Sequence, residues 1–346
     1  MRVTLKTIAD ATGFSVNTVS RVLRDDPKIS SSTSNIIRAK AEELGYVPDA
    51  VASSLRKPRS MTIGIVSADS SNSFFSEVIH GIDEKAQELG YNILIGNTGE
   101  DVEKEEHLIR LFLSRKVDGL IIMPTYVTSP DHLSFYSSLS VPFIFAGRYI
   151  EGFRNHSLLH SDTIGEEAVF EYLLSSGHRK ILYLSGPGRI SNTIDRDLGR
   201  QRAYEAFSVT SDPKYVYHLE GHTEDGYKAV NEALNRSLQF SAIVCFNDII
   251  AMGALKSLAE NDIPVPEEVE VIGFDNIMFS QFMQPALSTV DVPKYQLGAI
   301  AMETLHKHIE DSALVFTAEN LPARLVLRDS TKKRKYSQFK EKEKIK

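Results

Sequence analysis

The 346-residue chain contains no tryptophan and a single cysteine. One cysteine excludes an internal disulfide, and Cys245, set in the apolar run Ala242-Ile243-Val244-Cys245-Phe246, is expected to be a buried structural thiol. Without tryptophan, any stacking on a ligand must use Phe or Tyr. No apolar run approaches the roughly 20 residues that cross a bilayer. The stretch Met1-Arg2-Val3-Thr4-Leu5-Lys6 lacks the apolar core of a secretory signal, so a cytoplasmic chain with no membrane partner is expected. A P-loop and a dinucleotide fingerprint are also missing: Gly186-Pro187-Gly188 is too short, and its proline blocks a close N–H approach to phosphate. The ten histidines show no metal spacing, and His156 and His160, four apart, fall in a segment that reads as loop and strand. Neither an enzyme nor a metal nor a cofactor is expected.

What is present is unevenly distributed. Residues 1–60 carry a net charge of +4, residues 61–331 carry −17 and residues 332–346 carry +6. A basic head on an acidic body suits a protein of which only the head meets a polyanion. The head's pattern predicts three short helices. Thr4 caps the first, with Leu5, Ile8 and Ala9 on one face, and Gly13 ends it. Ser15 caps the second, which buries Val19, Val22 and Leu23 and presents Val16, Asn17, Ser20 and Arg21. The third starts near Ser30, turns Ile37, Ala41 and Leu44 inward and stops at Gly45. Two helices across a tight turn, braced by a third, read as a helix-turn-helix or as a plain three-helix bundle. In the first case the second helix enters the major groove. Asn17 then suits adenine, Arg21 a guanine or a phosphate, and Val16 a thymine methyl. Thr4, Ser15, Thr18 and Ser30 are short hydroxyl donors suited to the DNA backbone.

Pro48 and Pro58 bracket a helix of about two turns, too short to stand alone. It reads as a charged linker or as a hinge helix ordered on DNA, with Leu55 wedged into the minor groove and Arg56, Lys57 and Arg59 against phosphates. From Met61 the pattern alternates short apolar strands with amphipathic helices, the mark of parallel sheets covered on both faces. One series runs through strands near 62–66, 91–95, 118–122 and 141–145. A second begins near Ser157, with strands near 180–184, 215–219, 241–245 and 269–273. Two lobes imply a cleft, and ligands sit beyond the carboxyl ends of parallel strands. The polar and aromatic residues just after the strands are therefore the candidates: Phe74 and Phe75, Arg148, Asn192, Arg196, Asn247 and Asp275. Read as structure alone, Asn247-Asp248 is a good helix start, with Asp248 as the cap and Asn247 in the turn.

The run Thr4-Leu5-Lys6-Thr7-Ile8-Ala9-Asp10-Ala11-Thr12-Gly13-Phe14-Ser15-Val16-Asn17-Thr18-Val19-Ser20-Arg21-Val22-Leu23 closely resembles the head motif of the lactose-repressor/galactose-repressor family. Glu43-Leu44-Gly45-Tyr46-Val47-Pro48 and the hinge ending at Leu55-Arg56 resemble it too, and the likeness extends to about Asp329. One departure is Ser53, where relatives often carry arginine.

The resemblance implies a bacterial repressor of carbohydrate-utilisation genes that binds a palindromic operator as a homodimer under control of a small effector, a sugar or sugar phosphate. It puts Val16, Asn17 and Arg21 at base edges and Leu55 in the minor groove. It implies a helix-turn-helix head (1–46), a hinge (47–60) and a periplasmic-binding-protein-like type I α/β core (61–331) whose lobes exchange segments. The first lobe then takes about 61–157 and 293–320, the second about 158–290 and 321–331. It maps the family's effector-binding arginine, asparagine and aspartate onto Arg196, Asn247 and Asp275, and places His222 where relatives carry a loop aromatic. The tail, 332–346, has no leucine heptad, so a flexible basic segment is expected rather than a coiled coil. Alternatives at this point are a sugar receptor without a DNA role and a regulator answering to a purine or a phosphocarrier protein.

Overall fold

The structure is a computed structural model that describes residues 3–46, 59–126 and 130–332. The chain divides between Ser60 and Met61 into two compact units. In the first, α1 (Leu5–Thr12), α2 (Val16–Val22) and α3 (Ser31–Glu43) follow from their caps. The Thr4 hydroxyl accepts the Thr7 N–H at 3.2 Å, while the Thr4 N–H donates to the Thr7 hydroxyl. Gly13, at φ 74°, closes α1 by donating its N–H to the Ala9 carbonyl. Ser15 and Ser30 accept the Thr18 and Thr33 N–H groups at the starts of α2 and α3. The inward faces meet in one small core of Ile8, Ala9, Val19, Val22, Ile37 and Ala41, ringed by Leu5, Phe14, Leu23, Leu44 and Tyr46. Leu55, Arg56 and the basic tail beyond Lys332 lie outside the described residues.

The second unit holds two parallel sheets. In chain order its first elements are β1 (Thr62–Ser67), α4 (Ser73–Glu88), β2 (Asn92–Asn97), α5 (Val102–Ser114), β3 (Gly119–Ile122), α6 (Pro130–Ser137), β4 (Phe143–Ala146) and β5 (Ser157–His160). Next come α7 (Asp162–Ser175), β6 (Ile181–Ser185), α8 (Ser191–Ala206), β7 (Val216–His218), α9 (Thr223–Asn235), β8 (Ala242–Cys245), α10 (Asp248–Glu260) and β9 (Glu270–Ile272). The chain ends through β10 (Thr289–Asp291), α11 (Lys294–Glu310), β11 (Glu319–Leu321) and β12 (Arg324–Val326). The first lobe's sheet has the order β11-β5-β4-β3-β1-β2, and the second lobe's has the order β7-β6-β8-β9. Antiparallel β10 and β12 run beside β9, bridged to it through Ile272 and Ser288.

One expectation is corrected. The second strand series was to open near Ser157, but Ser157–His160 pairs in parallel with β4 and β11, inside the first sheet. The connection from β4 carries only a 3-10 turn, Arg154–His156, instead of a crossover helix, so the helix–strand alternation misleads there. The edge strand β11 was not marked by the pattern; it is three residues long with two of them exposed.

Strand interiors such as Ile63, Ile65, Leu120, Ile121, Val244 and Val271 are fully buried, as covered parallel sheets require. The covering helices pair at close range. A Cβ at Gly81 of α4 would lie 2.1 Å from the Tyr295 carbonyl oxygen of α11, and one at Gly199 of α8 would lie 2.3 Å from the Thr163 carbonyl oxygen of α7. Among the described residues no helix is long and apolar enough to cross a membrane.

The head's core is too small to absorb a cavity. Ile37→Ala is expected to cost roughly 2–5 kcal/mol of head stability. Native-state hydrogen exchange on the full chain would register it as lost protection across α1 to α3, with the second unit unchanged.

Candidate functional sites

The strand ends of the two lobes face one another across a cleft, a common place for a small-molecule site. It is lined by Asn72, Phe74, Phe75, Ala146, Gly147, Arg148, His160, Asn192, Arg196, Phe246, Asn247 and Asp275. All seven effector candidates drawn from the sequence are thus brought together. Asn72 caps α4 by accepting the Phe74 N–H at 3.0 Å, which sets Phe74 and Phe75 edge to face with centroids 5.2 Å apart. His222 is not among the lining residues; it caps α9.

Arg196 is the most constrained group. It is 3% exposed, with its guanidinium over the rings of Phe274 (3.5 Å) and Phe246 (4.5 Å). Its Nε donates to Asp162 Oδ1 at 2.6 Å, one Nη donates to the Phe246 carbonyl, and the other lies 3.5 Å from Asp275 Oδ1. Asp162 also accepts from Asn192 Nδ2 at 2.8 Å and has His160 Nε2 3.3 Å away. Burial alone would raise its carboxyl, but His160 and Arg196 outweigh that and hold it well below the usual range. Asp275 shifts upward: burial dominates, only partly opposed by Arg196, His160 and Lys294. Its backbone sits at φ 103°, a conformation rare outside glycine, pinned by Lys294 Nζ donating to its carbonyl at 2.7 Å.

Across the cleft, Arg148 donates to Glu100 (2.9 Å), the Pro124 carbonyl (3.2 Å) and Asn192 Oδ1 (3.1 Å). Asn247, not Asp248, is the cap of α10: its Oδ1 accepts the Ile250 N–H at 2.8 Å. A purely structural reading of the pair has these roles the other way round; Asp248 is instead drawn inward, where it accepts from Thr289 Oγ1 (2.6 Å), the Ile277 N–H (2.9 Å) and Ser280. The sequence reading missed His160, Asn72, Phe246 and the two carboxylates behind the arginines, Asp162 and Glu100. His160 ends the strand that had been given to the other lobe, and Asp162 looks like an ordinary first-turn acid of a helix. Among the described residues no group of His, Cys, Asp and Glu side chains could hold a metal ion.

In the head, Val16 (44% exposed) and Asn17 project from the start of α2. Arg21 is partly committed, its Nε donating to Asp26 at 2.8 Å, and this hydrogen bond lowers the Asp26 carboxyl. The hydroxyls of Thr4, Ser15 and Ser30 are engaged as caps, and Thr18 Oγ1 lies 2.9 Å from Ser15 Oγ. Thr4, Ser15 and Ser30 are the N-caps of α1, α2 and α3, whereas Arg21 lies in the last turn of α2.

Comparison with known proteins gives a consistent result. Residues 4–49 match the family described as "Bacterial regulatory proteins, lacI family", and residues 60–328 match "Periplasmic binding proteins and sugar binding domain of LacI family". The chain is 32% identical over 337 residues to Catabolite control protein A of Priestia megaterium, covering 96% of this chain and 100% of that one. It is 30% identical over 308 residues to the HTH-type transcriptional repressor PurR of Vibrio atlanticus (strain LGP32), covering 89% and 92%. The fold is similar to that of the Lac repressor dimer bound to operator and the anti-inducer ONPF, with a TM-score of 0.83, 24% identity, and 96% and 99% of the two chains covered.

Behind the cleft, Glu166 of α7 is 1% exposed, and neither of its carboxyl oxygens has a hydrogen-bond partner. Burial raises its pKa from 4.5 to about 8, with Arg196 and Arg200 opposing and Asp197 reinforcing. A carboxyl raised on folding stabilises the native state below its unfolded pKa, and that contribution drains away as pH climbs through the folded one. The melting temperature should therefore fall between about pH 4.5 and about pH 8. Glu166→Gln should flatten that part of the profile, and an unchanged slope would refute the assignment.

Proposed function

The chain belongs to the LacI family of bacterial regulatory proteins, and from that premise we propose that it represses genes of carbohydrate use by holding a palindromic operator as a homodimer. The reading puts it in the cytoplasm, where the operator is. Asn17 and Val16 read base edges, with Arg21 beside them; Thr4, Ser15, Thr18 and Ser30 meet the DNA backbone, and Leu55 and Arg56 act from the hinge. Exposed Met278, Phe279 and Phe282, 60%, 47% and 73% accessible, offer apolar surface for a second copy.

The effector in this reading is a small polyhydroxylated molecule, a sugar. The observation that carries it is the juxtaposition of Arg196 and Asp275 between aromatic rings at the meeting of strand ends. A forked donor beside a carboxylate acceptor matches neighbouring hydroxyls, and Phe74 and Phe75 supply the apolar wall on which a sugar ring rests. Filling the cleft alters DNA affinity only insofar as the ligand prefers one lobe arrangement, typically by 1–3 kcal/mol.

Two measurements test this. Asn17→Ala should weaken binding to a palindromic operator by roughly 1–3 kcal/mol while leaving nonspecific binding and its salt dependence intact, read by fluorescence anisotropy. Equal loss on operator and random duplex would remove Asn17 from base reading. A thermal-shift panel of mono- and disaccharides should contain at least one that raises the melting temperature and changes operator affinity. A flat panel would sink the sugar-binding reading of the cleft.

A further inference from the structure

Arg148 looks like an anion-binding residue, since it lines the cleft and can present several N–H donors. Its commitments say otherwise. Glu100 meets its Nη1 at 2.9 Å, and that carboxylate is delivered by a built turn. Gly99 and Glu100 take φ 64° and 62° in succession, and for Glu100 the left-handed conformation is uncommon. The turn is tied down: the Thr98 and Gly99 N–H groups donate to the carbonyls of Ser67 and Ala68 at 2.8 Å, and the Glu100 N–H donates to Thr98 Oγ1. So the end of β2 is anchored to the end of β1 with its acid turned onto the arginine.

The second arginine is no more available. Arg196 has Asp162 at 2.6 Å and Asp275 at 3.5 Å. The two guanidiniums therefore face three carboxylates, and even a protonated imidazole at His160 would only bring the sum to zero. Lys294, behind Asp275, spends its ammonium on the carbonyls of Asp275, Asn276 and Val292 and lies 3.7 Å from Glu77.

We propose that Glu100 sets the charge class of the ligand: by holding Arg148 it leaves the cleft, among the described residues, without an uncommitted cation, so the site accepts an uncharged polyhydroxylated molecule and excludes its phosphorylated forms. The proposal rests on the reading of the cleft as the effector site. A phosphate group brings about −1.5 to −2 charges and needs donors that no carboxylate already occupies. A hydroxyl both donates and accepts, so it inserts into the existing pairs without adding charge.

The test is calorimetric titration of the full-length protein with inorganic phosphate, a probe that needs no fit to a sugar ring, at ionic strength balanced with chloride. The wild type should show no saturable binding at millimolar phosphate. Glu100→Gln, and Glu100→Ala as a second variant, should bind phosphate roughly tenfold or more tightly, because Arg148 then lacks its carboxylate. Adding Arg148→Ala should abolish the gain. Two results overturn the proposal: wild-type binding of phosphate that Arg148→Ala removes, or no gain in either Glu100 variant whose melting curve shows it folded. A saccharide panel in the same buffers separates the two ideas. Saccharide binding without a phosphate gain defeats only the role of Glu100, whereas a phosphate gain without any saccharide binding defeats only the sugar reading.

Discussion

The cleft depends on one buried ion pair, Asp162 with Arg196. A guanidinium at 3% exposure is tolerable only with a carboxylate and further acceptors around it, and removing the partner from such a pair typically costs 3–5 kcal/mol. Asp162 is the first residue of α7, immediately after the chain leaves β5 for the second lobe. It gathers Arg196 and Asn192 of α8 and approaches His160 at the end of β5. The crossing between lobes and the floor of the ligand site are thus fastened by the same carboxylate. Close packing of α7 on α8, which Gly199 permits, brings the two helices near enough for it to do so.

Asp248 repeats the placement with a different outcome. It too opens a helix, is fully buried and joins separate segments, β10 through Thr289 and the 276–280 loop through Ile277 and Ser280. The amino end of a helix favours a carboxylate in both cases. Asp162 has cationic neighbours and is held ionised. Asp248 has only neutral donors and the repulsion of Asp275, so burial pushes it up to about 7. Hydrogen bonds position both acids, and Asp162 alone of the two has cationic partners beside it.

Much of the architecture was legible because local signals agreed. Caps at Thr4, Ser15 and Ser30, the left-handed Gly13 and the periodic Ile8, Val19 and Ile37 all point to the same three helices. The cleft residues could be picked out because parallel strands end there, a rule that needs only strand positions. What escaped was non-local. The pairing of β5 with β11 joins segments about 160 residues apart in the chain, and no periodicity reports a partner. Glu100 and Asp162 were passed over because nothing in their neighbourhoods names Arg148 and Arg196. Which of Asn247 and Asp248 caps α10 escapes for the same reason: either residue caps well, and the distant Ile277, Ser280 and Thr289 are what draw Asp248 inward.

Direct hydrogen bonds join the two lobes. From the loop after β4, the Tyr149 N–H donates to Ser191 Oγ at 3.0 Å, and its phenol reaches Asp195 at 3.3 Å. Asn192 of the same α8 donates to the Gly147 carbonyl and accepts from Arg148. These bonds span the two sheets and use Asn192 and Arg148, which line the cleft. A molecule entering the cleft therefore cannot simply add contacts. It must take over some of what Asn192 and Arg148 give each other while leaving Asp162 to hold Arg196. In the proposed reading, binding there is an exchange of hydrogen bonds, small per group, and it bears on the lobe arrangement because the bonds exchanged are the ones between lobes.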